Sequence, residues 1–587
     1  MLKGIVAIFL SLIIVGQPYY FDQLGSYKAP APESIWFVED IPTEGDVNNG
    51  ITAIIEFEYQ SNNISEFRAS FSKDKKVNSS IKQAMRQNNT AYYSVLNQYH
   101  IDVLGVSFTD IEISSYSPFI FVRFENLSSY NNSRLDLVDL SKRYGVRSIY
   151  VCESFETVST TTTRNPENSY NIMSWEKARD MIGADMSDYY GEGIRIGFIE
   201  DGHAVNASAN SNNDDDNAIT VTGDNFPTQI KGINPSGFTT YRDNDHATAV
   251  ASIVGGTYGL APMAELYFGG IYSPSNLEWL LDQGVDIINM SSFIERDSVS
   301  TSSYYMLNGF YLGMDAYIDF ITWNNSVAFV CAAGNGDISS YTHHPGIALN
   351  SITVGSVDKN KNISFFSSFG VNSSLSNKIF KPTVVAPGEI EPLENITGIN
   401  LGTSYAAPMV TGVLALLMDE FPILDSYPEL ATSAIINSVT SLPLQTDLWD
   451  EYAGAGLINY STARDIIVNS RYAYDVFSSN TSDPLITVNA TINANQKLRI
   501  ALASSASPSI TTYSEGNLNP IITSYQIKIY NSFGLVETHT TTSNLFICEI
   551  SDQANISQQY TIEVYISGTK QSSSYEIVTL TYNPLRK

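Results

Sequence analysis

Apolar positions change their period twice along the chain. An apolar run at 51–59 precedes a helical stretch at 78–99, strand-like runs at 101–113 and 118–124, and an amphipathic helix at 135–144; Gly145 and a final run at 146–151 follow. This β-α-β-β-α-β order predicts a small two-layer α+β domain. Downstream of Trp175, short, largely apolar runs at 194–199, 266–267, 285–290, 327–333 and 351–354 read as buried strands, and helical stretches at 247–254 and 306–321 lie between them. Strands of that kind are buried on both faces, so the pattern predicts an α/β unit, a largely parallel sheet with helices on both faces. Reactive groups in such a sheet gather beyond the carboxyl ends of its strands. Past Arg471 the helical period disappears. Runs at 485–492, 498–503, 524–530, 546–550, 560–566 and 575–581 predict an antiparallel β-sandwich.

The length of 587 residues fits this division, since about 150 residues per domain gives roughly three or four units. Hydrophobic residues make up 43% of the chain, enough for real cores. A net charge of −29 with only 32 Lys plus Arg excludes electrostatic capture of nucleic acid or of an anionic membrane. Charged residues are sparse while Ser, Thr, Asn and Tyr abound, a mix suited to an extracellular setting. Met1 to Lys3 followed by the apolar run 4–16 reads as a secretory leader, because about 13 apolar residues are too few to span a bilayer. No small-residue cleavage site follows it, so an uncleaved anchor stays open as the alternative. The polar C-terminus predicts no second span. Sequons at Asn63, Asn126, Asn206, Asn395 and Asn480 fit an exported surface, secreted or at the cell surface. Cys152, Cys331 and Cys548 are too scattered for a disulfide framework or a zinc site.

One segment carries the most chemistry. Gly402-Thr403-Ser404-Tyr405-Ala406-Ala407-Pro408 opens an apolar helix that continues through 409–417. A Ser there is either a plain N-cap or a hydroxyl presented at a positive helix end. Upstream lie Asp245-His246-Ala247-Thr248-Ala249-Val250-Ala251 and Gly259-Leu260-Ala261-Pro262-Met263-Ala264-Glu265-Leu266-Tyr267. Further upstream, the strand at 194–199 delivers Glu200-Asp201-Gly202 at its end. Acid, His and Ser thus follow in that order, each at the rim of the expected sheet.

These residues resemble the subtilisin-like serine proteases. The Ser404 block is similar to the family's G-T-S-x-A-x-P signature, the His246 block to H-G-T-H-V-A, and residues 259–267 to G-V-A-P-x-A-x-L-Y. Residues 285–291 resemble the substrate-edge strand, Ala332-Ala333-Gly334-Asn335 the oxyanion segment, and 381–388 a structural stretch ahead of the serine. The resemblance covers about 175–471, and the order of its triad is a known property of the family. It implies a secreted serine endopeptidase acting on proteins or peptides, with Ser404 as nucleophile, His246 as general base and the Asn335 carboxamide as oxyanion donor. It also implies a substrate cleft lined by Ser291, Ser292, Phe293, Ala332, Ala333 and Gly334. The family's acid lies two residues before a Gly, here Gly202, and neighbours along a strand point to opposite faces. Glu200 is therefore expected to support His246, with Asp201 as the alternative.

Several positions depart from the family pattern. Glu200 is one methylene longer than the usual Asp, Ala247 and Ala249 replace Gly and His, Met409 replaces a His, and Phe293 stands where a Gly leaves the cleft open, which predicts a preference for small side chains before the cut bond. The flanks divide as a leader at 1–20, a propeptide-like domain at 21–157, a linker at 158–174, the catalytic domain at 175–471 and a C-terminal sandwich at 472–587. The Thr-rich stretch 159–164 reads as an exposed nicking site. No cofactor or metal site is expected; calcium at the acidic loop 212–217 is the weaker alternative to a solvated turn. The oligomeric state is left open, and no membrane span is expected beyond the N-terminal segment. A catalytically inactive surface glycoprotein of the same fold is the competing reading.

Overall fold

The structure is a computed structural model that describes residues 35–586 apart from 39–49, 58–74, 105–107, 109, 142, 144, 154–155, 159–170, 186, 205–219, 222–225, 227, 238–244, 296–308, 337–339, 392, 394–395, 398–399, 506–508, 515–516, 552–556 and 569–575. The leader, the nicking stretch 159–164, the acidic loop 212–217 and Asn63, Asn206 and Asn395 lie outside the described residues.

The N-terminal unit is a five-stranded sheet in the order β1-β5-β2-β4-β3, made by β1 (Ile35–Val38), β2 (Ile51–Phe57), β3 (Ile111–Ile113), β4 (Phe119–Phe124) and β5 (Val146–Glu153). Helices α1 (Lys75–Leu104) and α2 (Leu127–Ser141) complete it. Residues 101–104 continue α1 where the apolar run suggested a strand, and Ile101 packs against the core of this unit. Helix α2 begins at Leu127 rather than 135, because Asn126 and Ser129 bond reciprocally. Asn126 Oδ1 accepts from Ser129 N at 2.9 Å, and Ser129 Oγ accepts from Asn126 N at 3.2 Å.

Next come β6 (Glu156–Val158) and α3 (Trp175–Met181), then a seven-stranded sheet in which every neighbouring pair is parallel. Its strands are β7 (Arg195–Ile199), β8 (Ile230–Ile233), β9 (Glu265–Gly270), β10 (Ile287–Met290), β12 (Ala328–Ala332), β13 (Ser351–Val357) and β14 (Val384–Pro387), with β11 (Phe293–Glu295) set apart as the antiparallel partner of β6. The order β14-β13-β12-β10-β7-β9-β8 reverses direction beside β7, which places a crevice beyond its carboxyl end. Helices α4 (Asp245–Gly255), α5 (Pro274–Asp282), α6 (Gly313–Asn325), α7 (Thr403–Glu420), α8 (Pro422–Ser426), α9 (Pro428–Ser438) and α10 (Tyr460–Val468) surround the sheet. Helix α7 is apolar on all sides and buried from Thr403 to Met418, packed between the sheet and α4.

The third unit is two four-stranded antiparallel sheets sharing one apolar core. One has the order β15-β22-β17-β20, from β15 (Tyr472–Phe477), β17 (Gln496–Ser504), β20 (Leu545–Ser551) and β22 (Glu576–Arg586). The other has the order β16-β21-β18-β19, from β16 (Ile486–Ile492), β18 (Tyr525–Asn531), β19 (Gly534–Thr541) and β21 (Gln558–Ile566). This sandwich docks on α9, where Ser433 Oγ donates to Ala501 O at 3.1 Å and Asn437 Nδ2 to Thr581 Oγ1 at 3.0 Å. Among the described residues, no helix is long and apolar enough to cross a membrane.

The N-terminal unit shares a core with α5 and α6 through Tyr93, Phe119, Phe121, Leu277, Tyr317 and Phe320. Around it, α1 supplies cations to carbonyls at helix ends, which carry partial negative charge. Arg86 donates from Nη2 to Val285 O at 2.7 Å, past the end of α5, and from Nε to Asn325 O at 3.2 Å, at the end of α6. Lys82 Nζ reaches Asp425 Oδ1 at 2.5 Å and Asp286 Oδ1 at 3.2 Å. Burial pushes the Asp425 carboxyl up to about 6, with Lys82 opposing it. Lys82→Ala leaves two carboxylates in the interior without their cation, a change that typically costs about 3–5 kcal/mol. The thermal midpoint of the full chain should fall, and adding Asp425→Asn should recover part of the loss. Equal loss in the single and double variants would show that this pair does not hold the interface.

Candidate active site

The carboxyl end of β7 sets the first group. Glu200 follows Ile199 directly, and its N–H donates to Gly270 O at 3.0 Å, which fixes the backbone at the strand end. Its side chain turns inward, 1% exposed, and Oε2 lies 3.1 Å from His246 Nδ1. The structure thus brings Glu200 to the imidazole, while Asp201 sits half-buried in the turn that follows. His246 is the second residue of α4, 6% exposed, with its ring 5.6 Å from that of Tyr405. A carboxylate on Nδ1 selects the tautomer that carries its proton there and leaves Nε2 as the basic nitrogen. Nε2 is buried with no hydrogen-bond partner.

Ser404 is the second residue of α7 and fully buried. Its Oγ donates to Ser291 O at 2.9 Å. Ser291 and Ser292 leave β10 buried, and Ser292 Oγ donates to Ile199 O at 3.1 Å, tying the exit of β10 to the end of β7. Behind them Asn289 Nδ2 donates to Ser291 Oγ at 2.9 Å, and Thr411 Oγ1 donates to Asn289 Oδ1 at 2.8 Å. Phe293 pairs through its backbone with Val158, so β6 lies along this edge; the Phe293 side chain is outside the described residues.

Ala332, Ala333 and Gly334 continue β12 toward Asn335, with Ala333 N donating to Val354 O at 3.0 Å. Asn335 Oδ1 accepts from both Thr403 N and Thr403 Oγ1 at 2.9 Å, and Thr403 Oγ1 accepts from Gly334 N at 3.1 Å. With Oδ1 bonded to Thr403, Nδ2 is the donor end of the amide. A Cβ at Gly402 would lie 3.1 Å from Nδ2, so a glycine there admits the carboxamide. The serine, imidazole, carboxylate and carboxamide therefore share one end of the sheet, an arrangement suited to acyl transfer.

Sequence reasoning missed the polar groups that hold these four. Thr403 lay in plain view inside the quoted block, but nothing in its spacing revealed a bond to Asn335. Asn289 and Thr411 stand in apolar runs, and a polar residue in such a run is itself the signal that a buried partner exists. His343, lying against Gly334, carried no signal in the sequence. Among the described residues, no group of three His, Cys, Asp or Glu side chains is placed to hold a metal ion.

The Subtilase family pattern matches residues 191–456. Subtilisin DY of Bacillus licheniformis is 31% identical over 299 residues, covering 47% of this chain and 92% of that relative. The major intracellular serine protease of Bacillus subtilis (strain 168) is 31% identical over 252 residues, covering 38% of this chain and 69% of the relative. Among solved structures, fervidolysin from Fervidobacterium pennivorans, described as a keratinolytic enzyme related to subtilisin, aligns over 95% of this chain and 96% of its own at 13% identity, with a TM-score of 0.45. The chain belongs to the subtilase family of serine peptidases.

Proposed function

We propose that the chain is a secreted endopeptidase that cuts proteins with a Ser404–His246–Glu200 triad and is made as a self-processing zymogen. The observation that carries the reading is the carboxylate on His246 Nδ1 at 3.1 Å together with the vacant lone pair of Nε2. His246 takes the Ser404 proton as Oγ attacks a peptide carbonyl, forming the C–O bond of a tetrahedral intermediate. The proton then passes to the leaving amine as the C–N bond breaks, and water repeats the sequence to free the acyl group. Glu200 stabilises the imidazolium that forms between these steps. The Asn335 amide N–H and the backbone N–H groups at the start of α7 stabilise the oxyanion; loss of one such donor typically removes about 3–4 kcal/mol.

The zymogen reading is supported by the N-terminal side. The carboxyl end of β6 lies at the amino end of β11, the end next to Ser291 and Ser292, which is how an extended peptide adds to an exposed strand edge. A cut within 159–164 follows directly on β6 and separates the two units. The apolar run 4–16 supports export, and the exposed Asn126 and Asn480 are available for glycosylation on such a surface. The C-terminal sandwich serves stability or surface attachment.

Labelling of the purified chain by a fluorophosphonate probe tests the reading as a whole; no label on a folded chain would leave an inactive surface glycoprotein. The Ser404→Ala chain should fold yet stay uncut across 159–164 in a host lacking other proteases, read by N-terminal sequencing. Normal processing of that variant would sink self-cleavage. Glu200→Gln in the mature enzyme should lower kcat by about 10³–10⁴ with KM little changed, whereas Asp201→Asn should retain most turnover on the same peptide. Loss confined to the Asp201 variant would reverse the assignment.

A further inference from the structure

The segment 340–343 folds back along 333–336. His343 N donates to Ala333 O at 2.8 Å, Ser340 Oγ donates to Gly336 O at 2.6 Å, and Ser368 N donates to Gly334 O at 3.0 Å. The imidazole of His343 fills the space between the two runs. A Cβ built on Gly334 would meet His343 Cγ at 2.5 Å and Cδ2 at 2.6 Å, and one on Gly336 would meet His343 Nε2 at 3.1 Å. The ring therefore lies flush against both glycines that flank Asn335. Gly334, at φ 109°, has neither the backbone conformation nor the room for a side chain, so the ring has no larger neighbour to displace it.

This position has a chemical consequence. A substrate carbonyl attacked by Ser404 must place its oxygen at the Asn335 amide. On the endopeptidase reading, the residue bearing that carbonyl sets its Cβ against the cleft lining of Ala332, Ala333 and Gly334. Its side chain must then extend into the space that the imidazole already takes. The ring is half-buried, and burial pushes its pKa down to about 4, with the neighbouring His344 acting in the same direction, so near neutrality it is an uncharged plug.

We infer that His343 is a specificity-determining residue that restricts the side chain immediately before the cut bond to small, uncharged groups such as Ala, Ser or Thr. The inference rests on the endopeptidase reading above and deepens it. It assigns the restriction to a ring on the 340–343 segment, separately from Phe293 on the opposite edge.

The test is a series of peptide substrates that differ only at that residue, Ala, Thr, Leu, Phe and Glu, cleaved by the mature enzyme and by His343→Gly. Rates are divided by the concentration of sites titrated with a fluorophosphonate, so that misfolded molecules do not count. The wild type should favour Ala and Thr, with the Glu substrate poor in both enzymes. In the variant the ratio of kcat/KM for Phe to that for Ala should rise about 10–100-fold, the scale on which a pocket discriminates side-chain size. If His343→Gly does not fold, His343→Ser should show the same direction with a smaller rise. An unchanged ratio in a variant that labels fully, or a wild type that already favours Phe, overturns the inference alone. A wild type that takes no label overturns the endopeptidase reading with it.

Discussion

The threonine ahead of the serine links parts of the site that come from distant stretches of sequence. Thr403 Oγ1 accepts from Gly334 N and donates to Asn335 Oδ1, while Thr403 N donates to the same oxygen. Each bond is worth only about 1 kcal/mol net. Their combined effect is geometric, because they clamp the first turn of α7 to the exit of β12 and fix which end of the Asn335 amide faces outward. An amide held only by water would turn freely, and its oxygen would repel a developing oxyanion as readily as its N–H groups would bind one. Gly402 completes the clamp by leaving room for the Asn335 carboxamide, whose Nδ2 would lie 3.1 Å from a Cβ there.

That clamp works because the strands beneath it are in phase. Met290 pairs with Ile199 on one side and with Cys331 on the other, so Glu200, Ser291 and Ala332 leave the sheet at one level. Helices α4 and α7 pack on each other and present His246 and Ser404 from their first turns. The far face of the sheet depends on the N-terminal unit, whose Arg86 and Lys82 occupy carbonyls and carboxylates around α5, α6 and α8. A protease unit without those cations would keep its sheet but would have to hydrate Asp286, Asp425 and the helix-end carbonyls by itself.

The parallel sheet was legible in the sequence because its strands are short and largely apolar with helical stretches between them, a signal that needs no knowledge of neighbours. Strand β9 runs from Glu265 to Gly270 although only 266–267 stood out; Phe268 extends the apolar run, and the two glycines after it contribute no hydrophobic signal. Helix α6 was expected at 306–321 and lies at Gly313–Asn325. Its polar end hides the continuation: Thr322 Oγ1 bonds Ile318 O, Asn325 Nδ2 bonds Ile321 O, and Asn89 Nδ2 reaches in from α1 to Asn324 O. Those residues look like a loop until a second unit covers them. The candidate site was legible for the same local reason. Ser404 and His246 each open a helix with its own pattern, Asn335 follows an apolar strand, and Glu200 follows from the two-residue period of the strand before it. Thr403 bonds a residue 68 positions away and Thr411 one 122 positions away, and the local pattern shows at most that a buried partner exists, not which residue it is.

The longer acid has a consequence of its own. Glu200 Oε2 meets His246 Nδ1, but Oε1 is buried with no hydrogen-bond partner. A carboxylate with one oxygen unsolvated sits in an unfavourable resting state. On the proposed mechanism, His246 gains a positive charge as Ser404 attacks, and the nearest compensating charge is this under-solvated carboxylate, in a site from which water is largely excluded. The attraction between them is then stronger than it would be across water, and it exists only once the imidazole is protonated. An aspartate held by several backbone donors would rest more comfortably and gain less at that moment. On the proposed mechanism, the carboxylate therefore realises more of its interaction energy when the imidazolium forms.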